Sequence, residues 1–130
     1  MNKPMRIFML ILLVSLTLTA CSGSKADAPA ATAVAFWQAM AAKDSAQLSS
    51  LSCADYEATA LTTLDSFQSV DLELKDIQCS SVLVTEENAE VTCKGSLNAS
   101  YGAEDFSFDL SASTYLVVNQ GGNWLMCGEK

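Results

Sequence analysis

The spacing of apolar residues divides the chain into a helical part followed by a β part. Between residues 32 and 69, apolar side chains recur at helical intervals, as Val34, Trp37 and Met40 do, and they predict two or three helices. From residue 72 onward the period changes to two, which predicts four strands at 72–84, 89–101, 106–119 and 123–127. This order of elements predicts an α+β fold in which the helices pack on a four-stranded antiparallel sheet.

The four cysteines that follow residue 21 are predicted to form two disulfides. An even number of cysteines in a chain with a secretory leader, described below, indicates disulfides in an oxidising compartment. A loop at 85–87 sets Cys79 opposite Cys93 on one face of the sheet, and by elimination Cys53 pairs with Cys127. The spacings contain no close pair and no Cys-x-x-Cys, which disfavours a zinc site and a redox role.

The last hairpin predicts which side chains of the two final strands face inward. Gly121-Gly122 is typical of a two-residue hairpin turn, and it places Leu116 beside Cys127 in the inward row. The opposite, outward row is then unusually apolar for a solvated face. Unless a chain segment covers this row, we interpret it as an interaction surface for a homodimer or for an unknown protein partner. Its members are Val82, Val84, Tyr115, Val117, Trp124 and Met126.

Residues 1–20 are typical of a secretory leader. A positively charged start precedes a 12-residue apolar stretch at 7–18, which is too short to span the hydrocarbon core of a membrane. The motif Leu18-Thr19-Ala20-Cys21 then resembles the lipobox of bacterial lipoproteins. This resemblance implies cleavage before Cys21, attachment of lipid to its thiol, and a location in the bacterial cell envelope outside the cytoplasm, where the lipid alone anchors the chain to a membrane.

These signals divide the chain into three parts. Residues 1–20 are predicted to be a lipoprotein signal peptide, and residues 21–31 the lipidated cysteine with a flexible tether rich in glycine, serine, alanine and proline. Residues 32–130 are predicted to form one folded domain, because their number suits one hydrophobic core and not two.

Composition and charge exclude several classes of function. The chain has 130 residues, a net charge of −8 and no histidine. Removal of the leader leaves five lysines against 15 acidic residues, a side-chain charge of −10. Such a charge disfavours nucleic-acid binding, and without histidine the commonest metal ligand and general base are missing. We therefore predict no nucleic-acid partner, no metal and no cofactor.

Two short sequences lie at the ends of the predicted domain. They are Val34-Ala35-Phe36-Trp37-Gln38-Ala39-Met40 followed by Lys43-Asp44, and Gly122-Asn123-Trp124-Leu125-Met126-Cys127-Gly128 near the end of the chain. Both are similar to sequences of the nuclear-transport-factor-2-like, or cystatin-like, superfamily. The resemblance implies a cone-shaped fold in which helices and a curved sheet can enclose a pocket. It does not imply an activity, because the same fold carries enzymes, binding proteins and assembly modules.

We predict a non-enzymatic module that binds a ligand or a protein, with a small pocket enzyme of the isomerase or dehydratase type as the alternative. Enzymes of that type in the superfamily use pocket carboxylates together with tyrosine or histidine. The corresponding candidates are Asp55, Tyr56, Glu57 and Tyr115. No carboxylate interrupts an inward-facing row of the predicted sheet, which favours the binding module, and we assign no catalytic residue.

Overall fold

A computed structural model describes residues 27–130 of the chain. The predicted signal peptide, the lipobox and Cys21 lie outside the described residues. Within residues 27–130, no helix is both long enough and apolar enough to cross a membrane.

Three helices come first, and local capping explains where they begin and end. They are α1 (Ala28–Ala42), α2 (Ser45–Ser50) and α3 (Ala54–Ser66). Lys43 adopts a left-handed conformation that ends α1, and the Asp44 side chain then accepts a hydrogen bond of 3.0 Å from the backbone N–H of Gln47 to begin α2. Because α1 begins at Ala28, residues 28–31 belong to the folded domain, and their assignment to the predicted tether is wrong.

Five strands and one short 3₁₀ helix follow the helices. The strands are β1 (Asp71–Val84), β2 (Asn88–Tyr101), β3 (Glu104–Asp109), β4 (Thr114–Gln120) and β5 (Asn123–Glu129), with the 3₁₀ helix at Leu110–Ala112. The antiparallel sheet has the order β1-β2-β4-β5, and β3 pairs with β2 next to β4. The α+β architecture is therefore confirmed, with five strands in place of four.

The predicted third strand is split in two, and this changes which side chains face the helices. The Asp109 carboxylate accepts hydrogen bonds from the backbone N–H and the hydroxyl of Ser111, at 2.9 and 2.7 Å, and so begins the 3₁₀ helix. The pairing with β2 moves by one residue across this turn, because Leu97 lies opposite Phe108 whereas Ala89 lies opposite Val117. A shift of one residue exchanges the two faces of a strand.

Both predicted disulfides are present and are confirmed. Cys53 is bonded to Cys127, and Cys79 is bonded to Cys93, with Cα–Cα distances of 5.2 and 4.0 Å. The first links the start of α3 to the last strand, and the second joins directly opposed residues of β1 and β2. The predicted pairing of Leu116 with Cys127 is wrong, because an irregularity in β4 and β5 places Leu116 opposite Gly128.

The core lies between the helices and one face of the sheet. α1 supplies Phe36 and Met40, and the sheet supplies Val91, Leu97 and Val117, all of them almost completely buried. α1 packs against β1, β2, β4 and β5, so this helix covers most of the inner face. The outer face of the sheet carries no helix among the described residues.

Candidate functional site

The interior between the helices and the sheet is apolar and carries no buried acid. Among residues 27–130, Ser52 is the one polar or charged residue that is buried, and its hydroxyl donates to the backbone carbonyl of Leu48 at 2.8 Å. Asp55 is exposed at the start of α3. Glu57 is half-buried and accepts a hydrogen bond from the hydroxyl of Ser49. Neither carboxylate is therefore placed as a general base inside the cone.

The two candidate tyrosines have structural environments. Tyr115 is only 3% exposed, and its hydroxyl donates to the backbone carbonyl of Leu110 at 2.9 Å, which ties β4 to the 3₁₀ helix. Burial, with a smaller contribution from the negative charge of Glu129, raises the pKa of Tyr115 to about 12. The same two causes raise the pKa of Tyr56, which is half-buried beside Phe36. Both phenols therefore stay protonated at neutral pH.

The structure divides the predicted interaction surface between the two faces of the sheet. Tyr115, Val117 and Met126 are buried in the core, so their assignment to an outward surface is wrong. The cause is the one-residue shift at the 3₁₀ helix, which turns the odd-numbered side chains of β4 toward the helices. Trp124 is half-buried against the core, whereas Val82 and Val84 are 59% and 49% exposed.

The corrected register places a different set of apolar side chains on the outer face. Leu116, Val118 and Cys127 line a depression of about 260 Å³ together with Leu83, which is 55% exposed. Its other lining residues are Thr85, Asn88, Ala89, Glu90 and Val117. We call this depression the outer groove. Leu83, Leu116 and Val118 were not among the predicted surface residues. The Asp-x-Ser signal at residues 109–111 indicates the turn that shifts the register.

A second exposed apolar surface lies on β3. All six residues of β3 are exposed, and the strand pairs only with β2 among the strands that the structure describes. Phe106 and Phe108 lie opposite Ala99 and Leu97, and therefore share the face that holds the core, yet they are 49% and 45% exposed. The helices do not extend far enough to cover them fully.

Neighbouring aromatic rings support this surface from both ends. Phe106 packs edge-to-face against Tyr101 with ring centroids 5.3 Å apart. Phe108 packs edge-to-face against the buried Phe67 at 5.7 Å. Such pairs add about 0.5–1.5 kcal/mol beyond the area that they bury. Phe108 is therefore held by the core, whereas Phe106 rests on Tyr101, which is itself exposed.

The other face of β3 is acidic. Asp105 and Asp109 lie opposite Ser100 and Ser96 of β2, and the Ser100 hydroxyl donates to the Asp105 carboxylate at 2.6 Å. Hydrogen bonds from Ser111 hold the pKa of Asp109 below its ordinary value, so this carboxylate stays charged. β3 thus presents Phe106 and Phe108 on one face, with Glu104 at the start of the strand, and Asp105 and Asp109 on the other face.

The described part of the chain is strongly acidic as a whole. Residues 27–130 contain four lysines against 15 acidic residues, which gives a side-chain charge of −11. Two of the lysines already contact carboxylates, Lys75 with Glu73 at 3.1 Å and Lys130 with Glu90 at 2.5 Å. Within the same residues, no group of three or more acidic or cysteine side chains is placed to hold a metal ion.

Comparisons with known proteins support the fold. No protein-family model and no curated protein matches the sequence. Two of the solved structures that resemble the chain each have a TM-score of 0.54. One is a candidate dehydratase of the nuclear-transport-factor-2-like family from Streptomyces avermitilis, with 18% identity over 76% of this chain and 88% of that one. The other is a SEC-C-motif-containing protein from Rhodopseudomonas palustris, with 11% identity over 80% of each chain. The nuclear-transport-factor-2-like fold expected from the sequence is thereby supported.

Proposed function

We propose that this protein is a lipid-anchored binding module of the bacterial cell envelope, and that it contacts a partner protein without catalysing a reaction. The observation that carries the proposal is the distribution of apolar and acidic groups. The interior of the described domain holds no acidic side chain, whereas exposed apolar side chains lie on β3 and beside the outer groove. Exposed apolar surfaces of this kind are typical of protein contacts.

The enzymatic alternative receives support only at the level of the fold. The description of the Streptomyces neighbour as a dehydratase concerns that protein, and the same fold supports many functions. A pocket enzyme of this type would need a carboxylate whose pKa is tuned by burial. Asp55 and Glu57, the candidates from the sequence, do not meet this requirement because one is exposed and the other only half-buried.

The proposed anchor places one end of the domain near the membrane. The chain from Cys21 to Ala28 can extend over at most about 25 Å. The first turns of α1 lie beside the last hairpin, since the hydroxyl of Thr32 donates to the backbone carbonyl of Trp124 at 3.2 Å. The hairpin between β2 and β3 lies at the opposite end of the long strand β2. An anchor at Cys21 would therefore present β3 on the side that faces away from the membrane.

The anchor is tested by substituting Cys21 in the full-length chain. Cells that express the wild type should incorporate radioactive palmitate into the protein and remove the leader. The Cys21→Ala variant should carry no label and should keep the mass of the precursor. Ser22→Ala, a substitution at the neighbouring residue, is the matched control and should be labelled and processed normally. Normal labelling of Cys21→Ala would contradict the proposed anchor.

The binding function is tested by crosslinking in intact cells. A photoreactive amino acid is introduced at Leu83 or at Phe106, which are both exposed, and at Thr62 on the exposed side of α3 as the control. We expect a discrete protein adduct from at least one of the first two positions and none from the third. If both positions give only the pattern seen at Thr62, the binding function is refuted.

A further inference from the structure

We propose that the free edge of β3 binds an extended segment of the partner protein as an added strand, and that this segment alternates basic and apolar residues. The inference rests on the proposed binding function and specifies the chemistry of the partner. It depends on three properties of β3: its open edge, the different chemistry of its two faces, and the charge of the domain that carries it.

The edge of β3 is open and regular. β3 hydrogen-bonds to β2 on one side, and no strand of residues 27–130 lies on the other side. Because the hydrogen bonds of an antiparallel ladder alternate in direction, part of the β3 backbone points away from β2 and can pair with another chain. The pairing of β3 with β2 runs without interruption from Tyr101–Glu104 to Ser96–Asp109.

β1 and β5 lie at the two ends of the strand order, and the edge of β5 is already paired at Met126 with Leu51 and Cys53. β1 is a poorer template than β3. Its pairing with β2 is interrupted twice, between Lys75 and Gln78 and between Ser81 and Leu83. Such bulges bend and twist an edge, and they are a common means by which proteins prevent a further strand from pairing. β3, by contrast, has six exposed residues and no irregularity in its pairing with β2.

The two faces of β3 specify the side chains of an added strand. Directly opposed residues of neighbouring strands point to the same face, so alternate residues of the incoming segment would meet Phe106 and Phe108. Apolar side chains fit that face. The intervening residues would meet Asp105 and Asp109, which favours lysine or arginine. An alternating basic and apolar segment therefore matches Phe106 and Phe108 on one face and Asp105 and Asp109 on the other.

Charge argues against a second copy of this chain as the occupant. Each described domain carries a side-chain charge of −11, so two domains repel one another at close range. Pairing two β3 edges would bring Glu104, Asp105 and Asp109 of both copies together along one short ladder. Acidic residues on an edge strand oppose such self-association, and the same residues attract a basic strand.

The test uses the full-length chain, purified from membranes in detergent, and a labelled synthetic peptide. The peptide has six residues, matching the length of β3, and alternates lysine with valine. One control peptide has the same composition with its three lysines in one block, and another alternates glutamate with valine. We expect the alternating lysine peptide to bind at least about fivefold more tightly than the block peptide, because only the former can place its charges on one face. The glutamate peptide should not bind.

Two charge-reversal variants separate the specific site from general attraction. Asp105→Lys should weaken binding of the lysine peptide about tenfold and allow the glutamate peptide to bind. Asp55→Lys is the control, because it causes the same change in net charge on the exposed start of α3. It should change the affinity for the lysine peptide less than about twofold. Phe106→Ser should weaken binding without changing the charge. Circular dichroism of each variant verifies that the fold is retained, so that lost binding is not mistaken for unfolding.

Hydrogen exchange identifies the bound strand directly. Addition of the lysine peptide should slow amide exchange in residues 104–109 and leave α3 unchanged. Equal effects of Asp105→Lys and Asp55→Lys, or protection elsewhere and not in residues 104–109, would overturn the inference. If the peptide does not bind while a crosslinked partner is found at Leu83 or Phe106, the inference fails and the binding function stands. If no position is crosslinked, the binding function itself fails.

Discussion

Gly95 occupies a position in β2 where a side chain cannot be accommodated. Its φ angle is +102°, a conformation that residues with a side chain rarely adopt. A Cβ atom at this position would lie 2.4 Å from the carbonyl oxygen of Lys75 and 2.8 Å from the carbonyl carbon and oxygen of Asp76. These neighbours are backbone atoms of β1 at its first pairing irregularity, so they cannot move aside as a flexible side chain could.

The cost of Gly95→Ala can be worked out from these two effects. Forcing alanine into this φ region costs about 1–3 kcal/mol, and inserting a methyl group against fixed atoms costs about 1–3 kcal/mol more. We therefore expect the free energy of unfolding to fall by about 4 kcal/mol. Gly102→Ala is the matched control, because Gly102 has a φ of +72° and no heavy atom within 4 Å of the added Cβ. Only the backbone strain of about 1–2 kcal/mol applies there.

The difference in the free energy of unfolding between the two variants is measured by urea unfolding with both disulfides intact. Circular dichroism monitors the unfolding. The full-length chain in detergent is used for the wild type, Gly95→Ala and Gly102→Ala. A loss of about 4 kcal/mol would be a large share of the net stability of an ordinary domain, so the unfolding midpoint should move clearly. If the two variants lose the same stability within about 0.5 kcal/mol, the close contact with β1 contributes nothing and our reasoning about this bulge is refuted.

The remaining predictions concern the disulfides and one buried phenol. Replacing Cys53 and Cys127 together by alanine should lower the free energy of unfolding by about 4.5 kcal/mol, and replacing Cys79 and Cys93 should lower it by about 3 kcal/mol. The reason is that the first bridge closes a loop of 74 residues and the second a loop of 14. Urea unfolding that gives the reverse order would contradict the chain-entropy argument. The Tyr115 hydroxyl has a folded pKa of about 12 against 10.0 for the unfolded chain, so the folded state holds this proton more tightly. The contribution of this protonated phenol to the free energy of unfolding is therefore complete below pH 10 and is lost as the pH rises from 10 to 12. The Tyr115→Phe variant should lose less stability than the wild type over that interval. If the variant and the wild type show the same pH dependence, the raised pKa of Tyr115 is contradicted.

Local signals in the sequence were sufficient for the helices, the disulfides and the β1–β2 register around Cys79 and Cys93. Asp44 with Gln47 predicts a helix start because the side chain and the backbone N–H lie within one turn, and the structure contains that hydrogen bond. The pairing of Cys79 with Cys93 followed from a short loop and a period of two, which need no knowledge of distant contacts. The register holds at this pair although β1 contains an irregularity on either side of it.

The exposure of β3 could not be predicted, because it depends on where the helices end in space. The period of two places Phe106 and Phe108 in a row that faces the core, and an inward row is ordinarily covered. Whether a helix reaches that far is decided by the packing of α1 and α3 against the other strands, which the period of a strand does not report. A surface at the margin of a core therefore has the same sequence pattern as the core itself.

The reversed face of β4 has a different cause, which also bears on function. Leu110 in the 3₁₀ helix continues the alternation that begins at Phe106, so the apolar period passes through the turn as if the strand were unbroken. Beyond the turn both rows are apolar, with Tyr115 and Val117 on one face and Leu116 and Val118 on the other, so hydrophobicity cannot decide which row is buried. Only one of two such rows can be covered by the helices. An exposed apolar surface was therefore predictable even though its residues were not, and this surplus of apolar side chains is the physical reason to expect a binding partner.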